Sequence, residues 1–293
     1  MKKTLLTICL VWMCFSLSAQ KIIDLSGKWS FSIDRQDNGE KEKWFSHTLN
    51  DCINLPGSMP EKLKGDEVTA KTQWTGSLYD SSYYYNPYME KYRKEGNIKF
   101  PFFLTPDKHY VGAAWYQKEV NIPADWKGER ILLFLERPHI ETTVWVNGQK
   151  TGMQNSLCVP HQYDITRYVR PGKCTITIRV DNRIKEINVG PDSHSITDQT
   201  QGNWNGIVGR ICLQTTPKTY FDDIQIYPEP EQKLARVKVV IKGAGITKIK
   251  LSAESFNTDK KHIVPAIQQE IKLNKGVTET EMVLPMGNDM LLW

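Results

Sequence analysis

The stretch Thr142-Thr143-Val144-Trp145-Val146-Asn147-Gly148 decides how the chain folds. β-Branched and aromatic residues run into Asn-Gly, the dipeptide that tolerates positive φ at both central positions of a tight hairpin turn. Upstream, Ile131 to Leu135 is a continuous apolar run, as in a strand buried on both faces. Downstream, Cys174-Thr175-Ile176-Thr177-Ile178-Arg179-Val180 alternates with the period of a strand, and so does Lys28-Trp29-Ser30-Phe31-Ser32-Ile33. Hardly any amphipathic helical stretch of useful length separates these segments. The sequence therefore predicts an all-β sandwich or jelly roll rather than a βαβ fold.

With 293 residues, and roughly 150 per domain, about two domains are expected. Hydrophobic residues at 40% and charged residues at 24% match globular usage, which excludes a disordered, collagen-like or coiled-coil chain. A net charge of +5 with no long Lys/Arg run gives no reason to expect a nucleic-acid partner. Met1-Lys2-Lys3 is a basic start, Leu5 to Phe15 is apolar, and Ser16-Leu17-Ser18-Ala19 supplies small residues for cleavage. This reads as a secretory signal peptide over residues 1–19, too short in its apolar run to span a bilayer. Val11-Trp12-Met13 are bulky where lipid attachment at Cys14 wants small residues. No second run of spanning length follows, so a periplasmic or secreted protein with no membrane partner is expected. The remaining cysteines, Cys52, Cys158, Cys174 and Cys212, fit no C-x-x-C or zinc spacing. They are read as buried free thiols, and no metal or cofactor is expected.

A boundary is expected near residue 220, where Thr216-Pro217-Lys218 precedes a strand at Ile224-Gln225-Ile226. Val237, Val239 and Ile241 then share one face, Ile249, Leu251 and Ala253 another, and Ile271 with Leu273 a third. Residues 20–219 are thus read as one domain, and residues 220–293 as a second, smaller sandwich. An immunoglobulin-like sandwich takes about 100 residues. The second segment is shorter, so it is read as incomplete.

Six motifs carry a resemblance: Asp24-Leu25-Ser26-Gly27-Lys28-Trp29, Leu55-Pro56-Gly57-Ser58-Met59, Gly112-Ala113-Ala114-Trp115-Tyr116-Gln117-Lys118, Pro160-His161-Gln162-Tyr163-Asp164-Ile165-Thr166, Val180-Asp181-Asn182-Arg183, and Thr200-Gln201-Gly202-Asn203-Trp204-Asn205-Gly206-Ile207-Val208-Gly209-Arg210. Over about residues 24–228 the chain resembles the amino-terminal sugar-binding domain of glycoside hydrolase family 2, the β-galactosidases, β-glucuronidases and β-mannosidases. The resemblance implies a galactose-binding-like jelly roll, then an immunoglobulin-like sandwich, then a catalytic (β/α)8 barrel. It also implies a retaining reaction needing two glutamates about 5 to 5.5 Å apart, both from the barrel, the acid/base preceded by Asn. This sequence has no Asn-Glu dipeptide and no room for a barrel of about 250 residues. The expectation is the amino-terminal portion of an exported β-glycosidase acting on terminal β-linked sugars of glycans. By itself it would be inactive, would brace the missing barrel and would form one wall of the substrate pocket. The alternative is a free-standing secreted carbohydrate-binding module.

No catalytic residue is expected in this chain. Asp198, Gln199, Asn203, Trp204 and Asn205 are the candidate substrate contacts, because the loop from Asp192 to Asn205 concentrates groups able to make the fixed hydrogen bonds a polyhydroxylated ligand requires. Where the resemblance puts a sugar-binding Asp, this chain has Thr200, with Asp198 two residues away. A loop held by its own side chains would show the same composition, and a Trp in a strand-starting motif also suits a core. Tyr79, Tyr83, Tyr84, Tyr85, Tyr88 and Tyr92 are half of the chain's 12 tyrosines, and the stretch from about Asp80 to Tyr110, which holds five of them, reads as an insertion suited to shaping a subsite or covering a domain junction. His161 is read as structural. Gly243-Ala244-Gly245 lacks the third glycine and helix of a dinucleotide site, and Asp192-Ser193-His194 lacks the geometry of a triad.

Overall fold

The computed structural model describes residues 21–77, 80–185, 192–257 and 259–291. The expected signal peptide, Tyr79 and the terminal Leu292-Trp293 lie outside the described residues. Two antiparallel sheets face each other. One orders Ile22–Asp24, Gly206–Thr216, Arg130–His139 and His161–Asp164, with Gly57–Ser58 also on Gly206–Thr216. The other orders Gln149–Asn155, Glu141–Val146, Gly172–Asp181, Ala113–Ile122, Gly27–Asp34 and Asp51–Leu55. The expected hairpin turn forms, with φ of 50° at Asn147 and 75° at Gly148. Leu133, Leu135 and Leu213 from the first sheet pack on Phe31, Tyr116, Ile176 and Ile178 from the second to make the main core. At about 25 cal/mol per Å² of apolar surface removed from water, this interface is the dominant stabilising term of the sandwich.

The alternating strands predict one dry and one wet face, yet Glu141–Val146 is buried along its whole length. The reason lies in a distant segment. Trp44, Phe45 and Leu49 cover Trp115 and Trp145 on the outer face of the six-stranded sheet, with Phe45 stacked on Trp145 at 5.2 Å. The cysteines also depart from expectation: all four are free, but Cys52 and Cys158 are exposed and only Cys174 and Cys212 are buried. Cys52 sits between two strand neighbours on the sheet edge, and Ile53 and Leu55 point inward in its place.

Tyr220–Glu229, Leu234–Asn257 and Lys260–Pro285 form one three-stranded sheet. Its apolar face is dry, with Val239 at 2% and Ile249 at 3% exposure. An extended hairpin of this length would hold its tip roughly 80 Å from its base. Instead His262, near the tip, meets the Met286 carbonyl at 2.9 Å, and Ser255 Oγ accepts from the Leu291 N–H at 3.0 Å. The hairpin is therefore folded over on itself, and its two halves cover each other. The fold occurs at Gly243, Gly245 and Gly276, with φ of 155°, 95° and 104° beside a register shift. That is the physical use of the glycines in Gly243-Ala244-Gly245. Three strands face two in this arrangement, which leaves Phe221, Ile224 and Ile226 on the outermost strand 53%, 50% and 65% exposed.

Candidate functional site

Strands Arg130–His139 and Gly206–Thr216 pair at His139 and Gly206, at one end of the sandwich, and the loop bearing the candidate contacts rises there. The loop is held from inside. Asp198, 1% exposed, accepts from the Thr75 N–H at 2.6 Å and the Asn203 N–H at 2.5 Å. Asn203 Nδ2 donates to Thr75 Oγ1 and the Asn182 carbonyl, while its Oδ1 accepts from Asn182 Nδ2 at 3.0 Å. Asn205, fully buried, donates to the carbonyls of Gly112 and Val180 and accepts from the Tyr116 hydroxyl at 2.8 Å. These three side chains spend their hydrogen-bonding capacity on the loop and the strands beneath it. Gln199 is half-buried, and its N–H donates to Thr197 Oγ1 at 3.4 Å. Trp204 is half-buried, with its ring stacked on His139 at 4.6 Å and its carbonyl 2.7 Å from His139 Nδ1. His139 therefore carries its proton on Nδ1 and donates it. Burial pushes this imidazole down to about 4, against the opposing pull of the Trp204 carbonyl.

Trp204 lines a cleft of about 770 Å³. Asp198 and Asn203 also reach it, whereas Gln199 and Asn205 lie off it. The opposite wall is Ile98 to Asp107, including Phe100, Phe103 and Leu104, whose N–H donates to the Asp198 carbonyl. The tyrosine-rich insertion thus contributes phenylalanines rather than tyrosines. Tyr83 is buried beneath them, stacked on Phe100 at 4.6 Å, and Tyr84, Tyr85 and Tyr88 point to solvent. Trp74 packs under Phe103 at 5.1 Å and against His109 at 4.8 Å. Trp74 Nε1 and His109 Nε2 are buried without a hydrogen bond, the latter 3.5 Å from Asp198 Oδ2 in a geometry that forms none. Sequence reasoning missed this wall. The one signal for it was the apolar run Pro101-Phe102-Phe103-Leu104 inside a polar insertion.

The Val180-Asp181-Asn182-Arg183 motif anchors the loop from behind through Asn203. Asp181 is fully buried and holds Arg179, Arg183 and Lys185 at 3.0, 2.6 and 2.9 Å. Burial alone would raise its carboxyl, but hydrogen bonds from Arg183 and Lys185 and the Arg179 charge outweigh it and hold the group far below the usual carboxylate range. Asn182 accepts from the Gly112 N–H and donates to the Tyr110 carbonyl, which ties the segment before strand Ala113–Ile122 to the loop through Asn203. His161, fully buried between Thr142 Oγ1 at 2.6 Å and the Ser156 carbonyl at 3.2 Å, is structural as expected. Among the described residues no group of three or more His, Cys, Asp or Glu side chains is arranged to hold a metal, and no helix is long and apolar enough to cross a membrane. The cleft offers an aromatic face and rigid polar edges.

Comparison with known proteins agrees with this fold. A family model described as glycosyl hydrolases family 2, sugar binding domain, matches residues 22–217. The β-glucuronidase of Homo sapiens is 24% identical over 258 residues, which cover 78% of this chain and 34% of that protein. The β-glucuronidase of Paenibacillus borealis is 27% identical over 222 residues, 71% of this chain and 31% of that protein. The chain thus spans about a third of the length of these relatives. Among solved structures, an uncultured Clostridium sp. β-glucuronidase superposes with a TM-score of 0.54 at 20% identity, covering 92% of this chain and 40% of that one. The Ruminococcus gnavus β-glucuronidase gives 0.56 at 17% identity, with the same coverage.

Proposed function

The chain belongs to glycosyl hydrolases family 2, and from that premise we propose that it is the amino-terminal portion of an exported retaining β-glycosidase that removes terminal β-linked sugars from glycans. In this reading residues 22–217 brace a catalytic barrel supplied by further polypeptide and form one wall of the substrate pocket. The two catalytic glutamates belong to that barrel, and the 293 residues alone are inactive. The carrying observation is the cleft itself: the Trp204 ring, clamped by His139, stands beside an edge whose polar atoms are fixed by Asn182, Asn203 and Asp198. A flat aromatic face suits the apolar face of a pyranose, and the preformed edge limits the ordering that binding requires. The relatives are β-glucuronidases, so a β-D-glucuronide is the first substrate to try.

The test is the size of the native polypeptide, detected in source cells with an antibody raised against residues 20–219. A product longer by about 250 residues or more is expected. That product should hydrolyse 4-nitrophenyl β-D-glucuronide or the matching galactoside, and Trp204→Ala should lower its kcat/KM by about tenfold, worth about 1.4 kcal/mol of transition-state binding. A native product that ends at Trp293 would overturn the enzyme reading and leave the binding-module one.

A further inference from the structure

A cavity of about 440 Å³ opens at the other end of the sandwich, where strand Arg130–His139 begins and strand Gly206–Thr216 gives way to Lys218. Strand Arg130–His139 runs from this cavity toward the cleft, so the two openings are about 30 Å apart. Its floor is apolar and dry: Ile122, Trp126, Ile131 and Val169 are all buried. Its rim is cationic. Lys127, Arg170 and Lys218 are exposed, and among the described residues none of them is in an ion pair; Arg170 donates to the carbonyls of Arg167 and Val169. Arg130 also lines the cavity but is committed, to Asp164 at 2.8 Å and over the Tyr220 ring at 3.8 Å. The one carboxylate in the lining is Glu129. Positive charge therefore exceeds negative around a low-dielectric floor, which concentrates the field on whatever enters.

A concave apolar volume of this size with a few converging charges is the usual form of a small-molecule site. A neutral sugar would leave its hydroxyls unpaired on that floor. A purely apolar ligand would leave the rim unused. We propose that this cavity binds an amphipathic organic anion, with a medium-length alkyl chain or an aryl group on the floor and a carboxylate or sulfate between Lys127, Arg170 and Lys218. The site is separate from the cleft and does not depend on the glycosidase reading.

Calorimetric titration of the 293-residue chain with decanoate, decyl sulfate and decyltrimethylammonium, all below their critical micelle concentrations, tests it. Saturable binding of one equivalent of each anion is expected, with the cation at least about tenfold weaker and the anion affinity falling as salt rises. Arg170→Glu with Lys218→Glu should weaken the anions by about tenfold or more, and Val169→Trp, which fills the floor, should abolish binding. Thermal melting of each variant shows whether it folds. Because Arg170 and Lys218 are exposed, the charge reversal keeps the test available if Val169→Trp unfolds the chain. Equal affinity for cation and anions would mean adsorption to exposed apolar surface such as Phe221, Ile224 and Ile226, and would overturn the proposal. So would an absence of saturable binding, or charge-reversed variants with unchanged anion affinity.

Discussion

The sandwich of residues 22–217 and the folded hairpin of residues 234–285 both cover an apolar sheet face, but by opposite routes. In the sandwich, strands far apart in sequence come together, as Ile22–Asp24 does with Gly206–Thr216, and buried polar side chains fix the register at the ends. In the hairpin, neighbouring segments fold back at glycines, and a small apolar cluster led by Val239, Ile241 and Ile249 holds the halves together. The difference teaches where a site can be built. A loop cross-linked to two strands by fully paired amides keeps its shape and can present Trp204 at a fixed angle. A hairpin bent at permissive residues supplies a surface, and its outer strand leaves apolar side chains uncovered.

The strongest way to break the comparison is Trp115→Ala. Trp115 is fully buried, stacks on Trp145 at 4.9 Å and donates to Asp34 Oδ2 at 2.9 Å. Truncation should cost the sandwich about 4 kcal/mol, read as a lower urea midpoint, with hydrogen-exchange protection between residues 234 and 285 unchanged. Equal loss of protection in the hairpin would show one cooperative unit and erase the distinction. Asn205→Ala is next, at about 3 kcal/mol, because it orphans the Tyr116 hydroxyl and two buried carbonyls together. If denaturation shows less than about 1 kcal/mol, the amide network does not hold the loop.

A third effect depends on pH. His139 sits at about 4 in the fold, against 6.5 for the free side chain. The unfolded chain therefore takes up a proton first, and stability should fall as pH drops from about 6.5 toward 4, by about 2 kcal/mol. His161 is shifted in the same direction by burial, so the slope is read as the difference between the parent and His139→Gln. A variant with an unchanged slope would show that His139 does not stay neutral beneath Trp204.

Much of the sandwich was legible because strand period and turn chemistry are local: Asn147-Gly148 specified its turn, and Ile176, Ile178 and Val180 specified the core face. The burial of Thr143 and Thr177 on the other face was not legible, because the cover comes from Trp44 and Phe45, about a hundred residues upstream. The loop from Asp192 to Asn205 was legible as a polar cluster but not in its direction. Composition cannot say whether an amide faces a ligand or a backbone carbonyl, and Asp198, Asn203 and Asn205 turn inward. Trp204 is half-buried, with its ring shared between His139 and the cleft. The aromatic wall at Phe100 and Phe103 was hidden because the tyrosines around it dominate the composition of the insertion.

The smallest effect sharpens the other half of the comparison. Gly245 has φ of 95°, and a Cβ added there would meet no atom within 4 Å, so any cost of a side chain is backbone strain alone. Gly245→Val should cost about 1 kcal/mol or slightly more, whereas Gly245→Asn should cost less because Asn accepts positive φ more readily. The strain falls on the bend, so the signal to watch is the contact that proves it, the His262 ring against the Met286 carbonyl. Exchange protection near residues 255 and 262 should drop in the Val variant while the urea midpoint of the sandwich stays fixed. If Val and Asn behave alike, Gly245 is not where the hairpin folds, and the bend must be carried by Gly243 and Gly276, whose positive φ values face each other across the pair.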